Sequence, residues 1–303
     1  MKKTLLAVAV AAALPTAAFA EVTLYGVADM AVVRSTGVDY QLSSNGGGNN
    51  GNSRLGVKGV EDLGGGLKAS FNFEQGVDLD TGATDSTTWQ RAAWVGLSGA
   101  FGSVRLGRSL SPSFYGVAAW ELTGTANYSV TYGTFGSAGG NTRNSSEIAY
   151  TTPNMGGFSA TLGFVAEDDN GGSATGNRFD GNIIYGAGPL VVSGWYNKNS
   201  EDSDAGYGVG GKYNFGMFTV AGSYQSKKNK DDGFTIGARA MLGPVALVVD
   251  VARITKEATD DTYNNYLLEA KYPLSKATFV YAAYLNRDDL DSTQASMGMR
   301  HHF

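Results

Sequence analysis

Cysteine is absent from the 303 residues, which leaves no disulfide, no thiolate metal site and no thiol nucleophile. Histidine occurs twice, as His301 and His302 beside the terminus, so no histidine base is available within the body of the chain. Hydrolytic enzymes need a nucleophile with a positioned base, most often histidine, and an enzyme is therefore excluded as the first expectation. No clustered ligand spacing appears, and neither a metal nor a cofactor is expected. Proline is scarce at 6 residues, and beyond residue 20 no apolar run approaches the length of a membrane-spanning helix.

What is present begins with a leader. Lys2 and Lys3 precede an apolar run from Leu5 to Leu14, then Pro15 and the small-residue ending Ala18, Phe19, Ala20. This is the pattern of a secretory signal peptide over residues 1–20, giving a mature domain over 21–303. Taking Lys2 and Lys3 from the 23 basic residues leaves 21 against 28 acidic ones, a formal charge of −7 that argues against a nucleic-acid partner.

The mature chain has the period of a strand almost throughout. Phe158, Ala160, Leu162 and Phe164 alternate with Ser159, Thr161 and Gly163; Tyr266, Leu268 and Ala270 alternate with Asn265, Glu269 and Lys271. No segment shows helical periodicity. Seven tight connections, such as 99–102, 153–157 and 273–276, alternate with eight longer polar ones, such as 35–52, 78–88 and 256–263, and together they join sixteen strands. The strands are expected to begin near Val22, Ser53, Leu67, Trp89, Ser103, Ser145, Phe158, Phe179, Leu190, Gly206, Met217, Gly233, Val245, Asn264, Ala277 and Ser292. An even strand number, short turns at one end and longer loops at the other predict an all-β fold, a sixteen-stranded antiparallel transmembrane β-barrel. A soluble β-sandwich explains the alternation but not the short-long rhythm.

One connection breaks that rhythm. Leu110 to Asn144 is long and aromatic, with Glu121 its only acid and Arg143 its only base. Structureless connections of this length are uncommon and usually functional. It is expected to be a long third loop that folds into the barrel as a constriction over 110–144.

With these residues in view, the chain resembles the Gram-negative general porins typical of β-proteobacteria, trimeric diffusion porins of the outer membrane. The resemblance covers nearly the whole mature sequence. It rests on VTLYGVADMAVV (22–33), SRLGVKGVEDLGGGLKASFNFEQG (53–76), RAAWVGLSGAFGSVRLGR (91–108), NSSEIAYTTPNMGGFSA (144–160) and the closing GMRHHF (298–303). It implies a multi-pass barrel in the bacterial outer membrane, a homotrimer, and passive diffusion of small ions and hydrophilic solutes. Lipid and lipopolysaccharide are the implied surroundings.

The charge and width of the narrowest point decide what such a pore passes. Arg54 and Lys58 share the strand face opposite Leu55 and Val57, and Arg105 opposes Val104 and Leu106, so all three are candidates for the lumen wall. By resemblance, Arg54, Arg91 and Arg143 match a basic cluster at the constriction, which Glu121 on the inward loop would face. Arg91 has the parity of Ala93, Val95 and Leu97 and is inward only if Ala92 and Trp94 point outward. Lys68 and Arg239 are further wall candidates. Ala28, Ala31, Ala92 and Trp94 are taken as outward positions able to pack barrel against barrel or, equally, to meet lipid.

Several arginines against one glutamate predict an anion-preferring waist. The long loops point the other way: Asp78, Asp80, Asp85, Glu167 to Asp169, Glu201, Asp202, Asp204, Asp231, Asp232, Asp260, Asp261, Asp288, Asp289 and Asp291 would make the mouth acidic, able to concentrate cations or hold divalent ions. Exposed charges are screened within about 8 Å in physiological salt, so the waist is expected to dominate. A substrate-specific channel, suggested by Phe114, Tyr115, Trp120, Tyr128 and Tyr132, and a surface adhesin are the alternatives on the same barrel.

Overall fold

The computed structural model describes residues 21–167 and 176–303. The expected leader (1–20) and the acidic pair Asp168 and Asp169 lie outside the described residues. Seventeen strands are formed: β1 (Glu21–Ser35), β2 (Val38–Ser43), β3 (Arg54–Gly64), β4 (Leu67–Gly76), β5 (Ala92–Gly99), β6 (Gly102–Leu110), β7 (Arg143–Thr151), β8 (Phe158–Val165), β9 (Arg178–Ala187) and β10 (Leu190–Asn199). They continue as β11 (Gly206–Asn214), β12 (Phe218–Ser226), β13 (Asp232–Leu242), β14 (Val245–Thr255), β15 (Thr262–Pro273), β16 (Thr278–Arg287) and β17 (Ser292–His302).

The ring closes on β1. Its lower half pairs antiparallel with β3, from Glu21↔Val60 to Val27↔Arg54, and its upper half pairs with β17, from Val27↔His302 to Ser35↔Gln294. Each remaining neighbour pair is antiparallel and consecutive in sequence. The result is a closed sixteen-stranded antiparallel barrel of β1 and β3 to β17, the closure that lets backbone groups at membrane depth pair within the sheet. The seventeenth strand, β2, is a short hairpin arm that pairs only with the top of β1, from Ala31↔Ser43 to Ser35↔Val38. The polar composition of 35–52 concealed it, although Val38, Tyr40 and Leu42 alternate there.

Alternation sorts the wall into two faces. Leu24, Leu162 and Met297 are 62%, 67% and 68% exposed and belong to an apolar outer face that includes Ile183, Val209, Ile236, Leu268 and Met299. The opposite parity is polar and buried, with Asp29, Asn182, Asp250 and Glu269. Met297, Met299 and Phe303 fall on the outer face as the parity of the last strand requires.

Segment 110–144 lies against the polar, buried face. It is not wholly irregular, as the sequence suggested, but holds two short helices, α1 (Pro112–Ala118) and α2 (Val130–Phe135). Neither completes two turns, so neither could show a helical period. Each begins on a serine cap: Ser111 Oγ accepts from the amide of Phe114, with Pro112 at the first turn, and Ser129 Oγ accepts from the amide of Tyr132.

Wall side chains hold both helices. The amide and hydroxyl of Ser113 donate to Asp180 on β9 at 2.6 and 3.0 Å, and Asn182 Nδ2 donates to the Pro112 carbonyl at 2.6 Å. Thr131 donates to Asp250 on β14 at 3.1 Å, and Asn265 on β15 donates to Thr134 at 2.9 Å. Between the helices Trp120 stacks on Trp195 of β10, centroids 6.1 Å apart, while Tyr128 meets Tyr281 of β16 at 5.8 Å. Gly210 makes room for this packing, since a Cβ there would stand 2.4 Å from Trp120 Cε2.

The packing corrects three of the four positions expected outside. Ala31 and Ala92 are buried, and Trp94 lies under the Arg105 guanidinium, 5.9 Å from its ring centroid. Only Ala28 shares the outer parity of Val22 and Leu24.

Candidate pore constriction

Four arginines from four parts of the wall converge. Arg54 opens β3, with Leu55 exposed on the other parity; Arg143 opens β7; Arg300 lies on β17 opposite the parity of Met297 and Met299. Arg91 precedes β5, where Trp89 adopts a left-handed φ of 57° and Gln90 and Arg91 lie outside the regular strand. Its amide still donates to the Glu74 carbonyl at 3.2 Å. Strand parity therefore does not bind Arg91, which turns inward although Ala92 and Trp94 do too. The condition placed on it from the sequence is unnecessary.

The acid that meets these cations is Glu74 of β4. Its Oε1 accepts from Arg91 Nε at 2.8 Å, and its Oε2 lies 3.4 Å from Arg54 Nε and accepts from Tyr25 Oη at 2.9 Å. Arg143 Nε donates to the Arg91 carbonyl at 2.8 Å, and Arg54 Nη1 to the Asn52 carbonyl at 3.0 Å. All four arginines line one cavity of about 360 Å³, walled opposite by Phe114, Thr125, Asn127 and Tyr132 of segment 110–144. Coulomb repulsion among like charges is tolerated there because each guanidinium also has fixed polar partners.

Glu121 is a correction. It is 3% exposed, and its carboxylate accepts from the Thr123 amide and hydroxyl at 3.0 and 2.6 Å, the Thr125 amide at 2.7 Å and the Ser129 hydroxyl at 2.7 Å. It shapes the turn between α1 and α2 and does not face the arginines. Lys58 keeps the face of Arg54 but stands over the Tyr25 ring at 5.1 Å, outside the cavity wall. Arg105 lies 3.7 Å from Glu147 and donates to the Leu110 carbonyl at 3.3 Å, at the foot of segment 110–144. Lys68 and Arg239 are exposed on β4 and β13 and make no ion pair among the described residues.

Sequence reasoning missed Glu74 and Arg300. The same parity test that selected Arg54 could have found them, because Glu74 alternates with Phe71 and Phe73, and Arg300 with Met299.

At the outer loops Asp202, Asp204, Asp231 and Asp289 have basic partners, while Asp78, Asp80, Asp85, Asp260 and Asp261 form no ion pair among the described residues. Lys228 pairs with Asp202 at 2.6 Å, Lys256 with Asp231 at 3.3 Å and with Asp289 at 3.9 Å, and Arg287 with Asp289 at 2.7 Å. Partial burial opposes ionisation of Asp289, but the Arg287 guanidinium outweighs it and holds the carboxyl below its ordinary value. Asp202 is held low in the same way by Lys228. Among the described residues no group of three or more acidic or histidine side chains is placed to hold a metal ion.

A closed barrel with an apolar outer face and a charged inner cavity defines a β-barrel channel of the outer membrane. The family model described as Gram-negative porin matches residues 7–303, and the chain belongs to that family. It is 33% identical to outer membrane porin protein 32 of Delftia acidovorans, covering 95% of this chain and 91% of that one. It is 28% identical to major outer membrane protein P.IB of Neisseria gonorrhoeae over the full length of both. Among solved structures, an anion-selective porin from Comamonas acidovorans superposes with a TM-score of 0.79 at 28% identity, over 94% of this chain and 100% of the other. The protein is an outer-membrane porin, a channel and not an enzyme.

Proposed function

We propose that the protein is a passive, anion-preferring diffusion channel for ions and small hydrophilic solutes, with segment 110–144 inside the lumen as its constriction. The observation that carries this is the cavity lined by Arg54, Arg91, Arg143 and Arg300 and by no carboxylate, Glu74 meeting only Arg54 and Arg91 from beside it. Charged groups at a narrow point set ion preference. The anion selectivity named for the Comamonas porin supports the same sign here. Pairing of Asp202, Asp231 and Asp289 with Lys228, Lys256 and Arg287 takes part of the charge from the competing acidic mouth. Assembly as a homotrimer embedded among lipid and lipopolysaccharide belongs to the same proposal and follows from the family.

Phe114 and Tyr132, edge to face at 5.4 Å and lining the same cavity as the arginines, favour a second reading in which flat organic anions are selected. The zero-current potential in a planar bilayer under a KCl gradient tests the main proposal. A chloride-directed potential that Arg54→Ala or Arg143→Ala diminishes is expected. A cation-directed potential indifferent to both would overturn it.

A further inference from the structure

Arg300 comes from the strand that closes the barrel, and its surroundings differ from those of the other three arginines. Across the seam it is paired in register with Asp29 of β1. Asp29 is fully buried, and its carboxylate already accepts from Tyr281 Oη at 2.6 Å, Asn49 Nδ2 at 3.1 Å and the Gly51 amide at 3.0 Å. It lies 3.9 Å from Arg300 Nη1, beyond hydrogen-bond reach. What it organises is the turn 49–51, and Asn50 of that turn accepts from Arg300 Nη1 at 3.0 Å. Arg300 Nε donates to His302 Nε2 at 3.1 Å. The remaining donors, on Nη2, have no partner among the described residues, and the side chain lines the cavity of Arg54, Arg91 and Arg143.

We infer that Arg300 is a further selectivity-determining residue of the constriction, a fourth arginine presented to passing anions. Asp29 is its positioning residue, acting through Asn50. The inference rests on the anion-preferring reading above. Asp29 is sealed behind the guanidinium, so a solute in the cavity meets the cation and not the acid. Arginine suits this place because its planar guanidinium can give Nε and Nη1 to two neutral acceptors and keep Nη2 free.

The test is the chloride-to-potassium permeability ratio in planar bilayers for Arg300→Met, Arg300→Lys and Asn50→Asp, beside Arg54→Ala and Arg143→Ala. A unit charge about 7 Å from a permeating ion in water alters its local occupancy roughly threefold. Arg300→Met is expected to lower the ratio about that much, and Arg300→Lys to keep most of it. Asn50→Asp, which sets a carboxylate against the free guanidinium without altering the closing strand, is expected to lower the ratio too. If Arg300→Met fails to assemble, judged by its heat-modifiable gel mobility, Asn50→Asp decides alone. Wild-type ratios in the Arg300 and Asn50 variants, with Arg54→Ala and Arg143→Ala lowered, would overturn the role of Arg300 and leave the anion-preferring waist standing. Wild-type ratios in all variants would overturn both.

Discussion

Glu74→Gln removes the carboxylate that pairs with Arg54 and Arg91 beside the arginine cavity. The substitution keeps an oxygen that can accept from Arg91 Nε, now at 2.8 Å, but removes the negative charge 3.4 Å from Arg54 Nε. Arg54 and Arg91 then keep their charge with no carboxylate beside them. A unit charge about 7 Å from the ion path shifts an anion's energy by about 0.6 kcal/mol in water, roughly a threefold gain in occupancy. Loss of the charge-assisted bonds costs about 1.5–3 kcal/mol locally, which a closed barrel can absorb. Under a tenfold KCl gradient, Glu74→Gln should therefore move the zero-current potential further toward chloride, while Arg54→Ala moves it the other way. A Glu74→Gln potential equal to wild type, or displaced toward potassium, would show that uncompensated arginine charge does not set the preference.

Two further outcomes are expected. Asp202 and Asp289 titrate below their ordinary values, so the loop ion pairs they form contribute fully at neutral pH and are lost only as pH falls through those lowered values. Amide exchange in 200–205 and 256–261, corrected for its intrinsic pH dependence, should be unchanged between pH 7 and 5 and rise below about pH 4, near the ordinary aspartate value; a rise already at pH 5 would contradict the pairing. Asp180→Ala removes the acceptor of both Ser113 donors, at a cost of about 1–3 kcal/mol in the anchoring of α1. Single-channel records should then show added current noise and faster amide exchange across 110–144, against unchanged exchange in β12 and β13.

The fold was legible because a membrane barrel imposes a period of two on every stave. Thirteen of the sixteen expected strand starts fall within a residue of the observed ones, and Asn264, Ser145 and Trp89 within three. The misses have local causes. The helices α1 and α2 are too short for a period, and β2 sits in a polar connection. Parity also fails where a chain leaves the regular strand, as at Trp89 to Arg91, so Arg91 faces the cavity against its apparent phase. Glu121 illustrates a different limit: as the only acid of a loop it seemed aimed at distant arginines, but nearby amides and hydroxyls of Thr123, Thr125 and Ser129 satisfied it first. Glu74 and Arg300 were within reach of the sequence, since each alternates with lipid-facing neighbours.

A positive potential at the proposed waist is open to direct measurement, because the chain has no cysteine. Thr125 lines the arginine cavity from the side of segment 110–144, so Thr125→Cys places a single thiol at that point. The rates of current block by an anionic and a cationic methanethiosulfonate reagent of similar size, added to the same side, report the local potential apart from the charge of the mouth. The anionic reagent is expected to react several-fold faster, and each reaction to lower the conductance. Faster reaction of the cationic reagent, or modification that leaves the current unchanged, would contradict a positive waist.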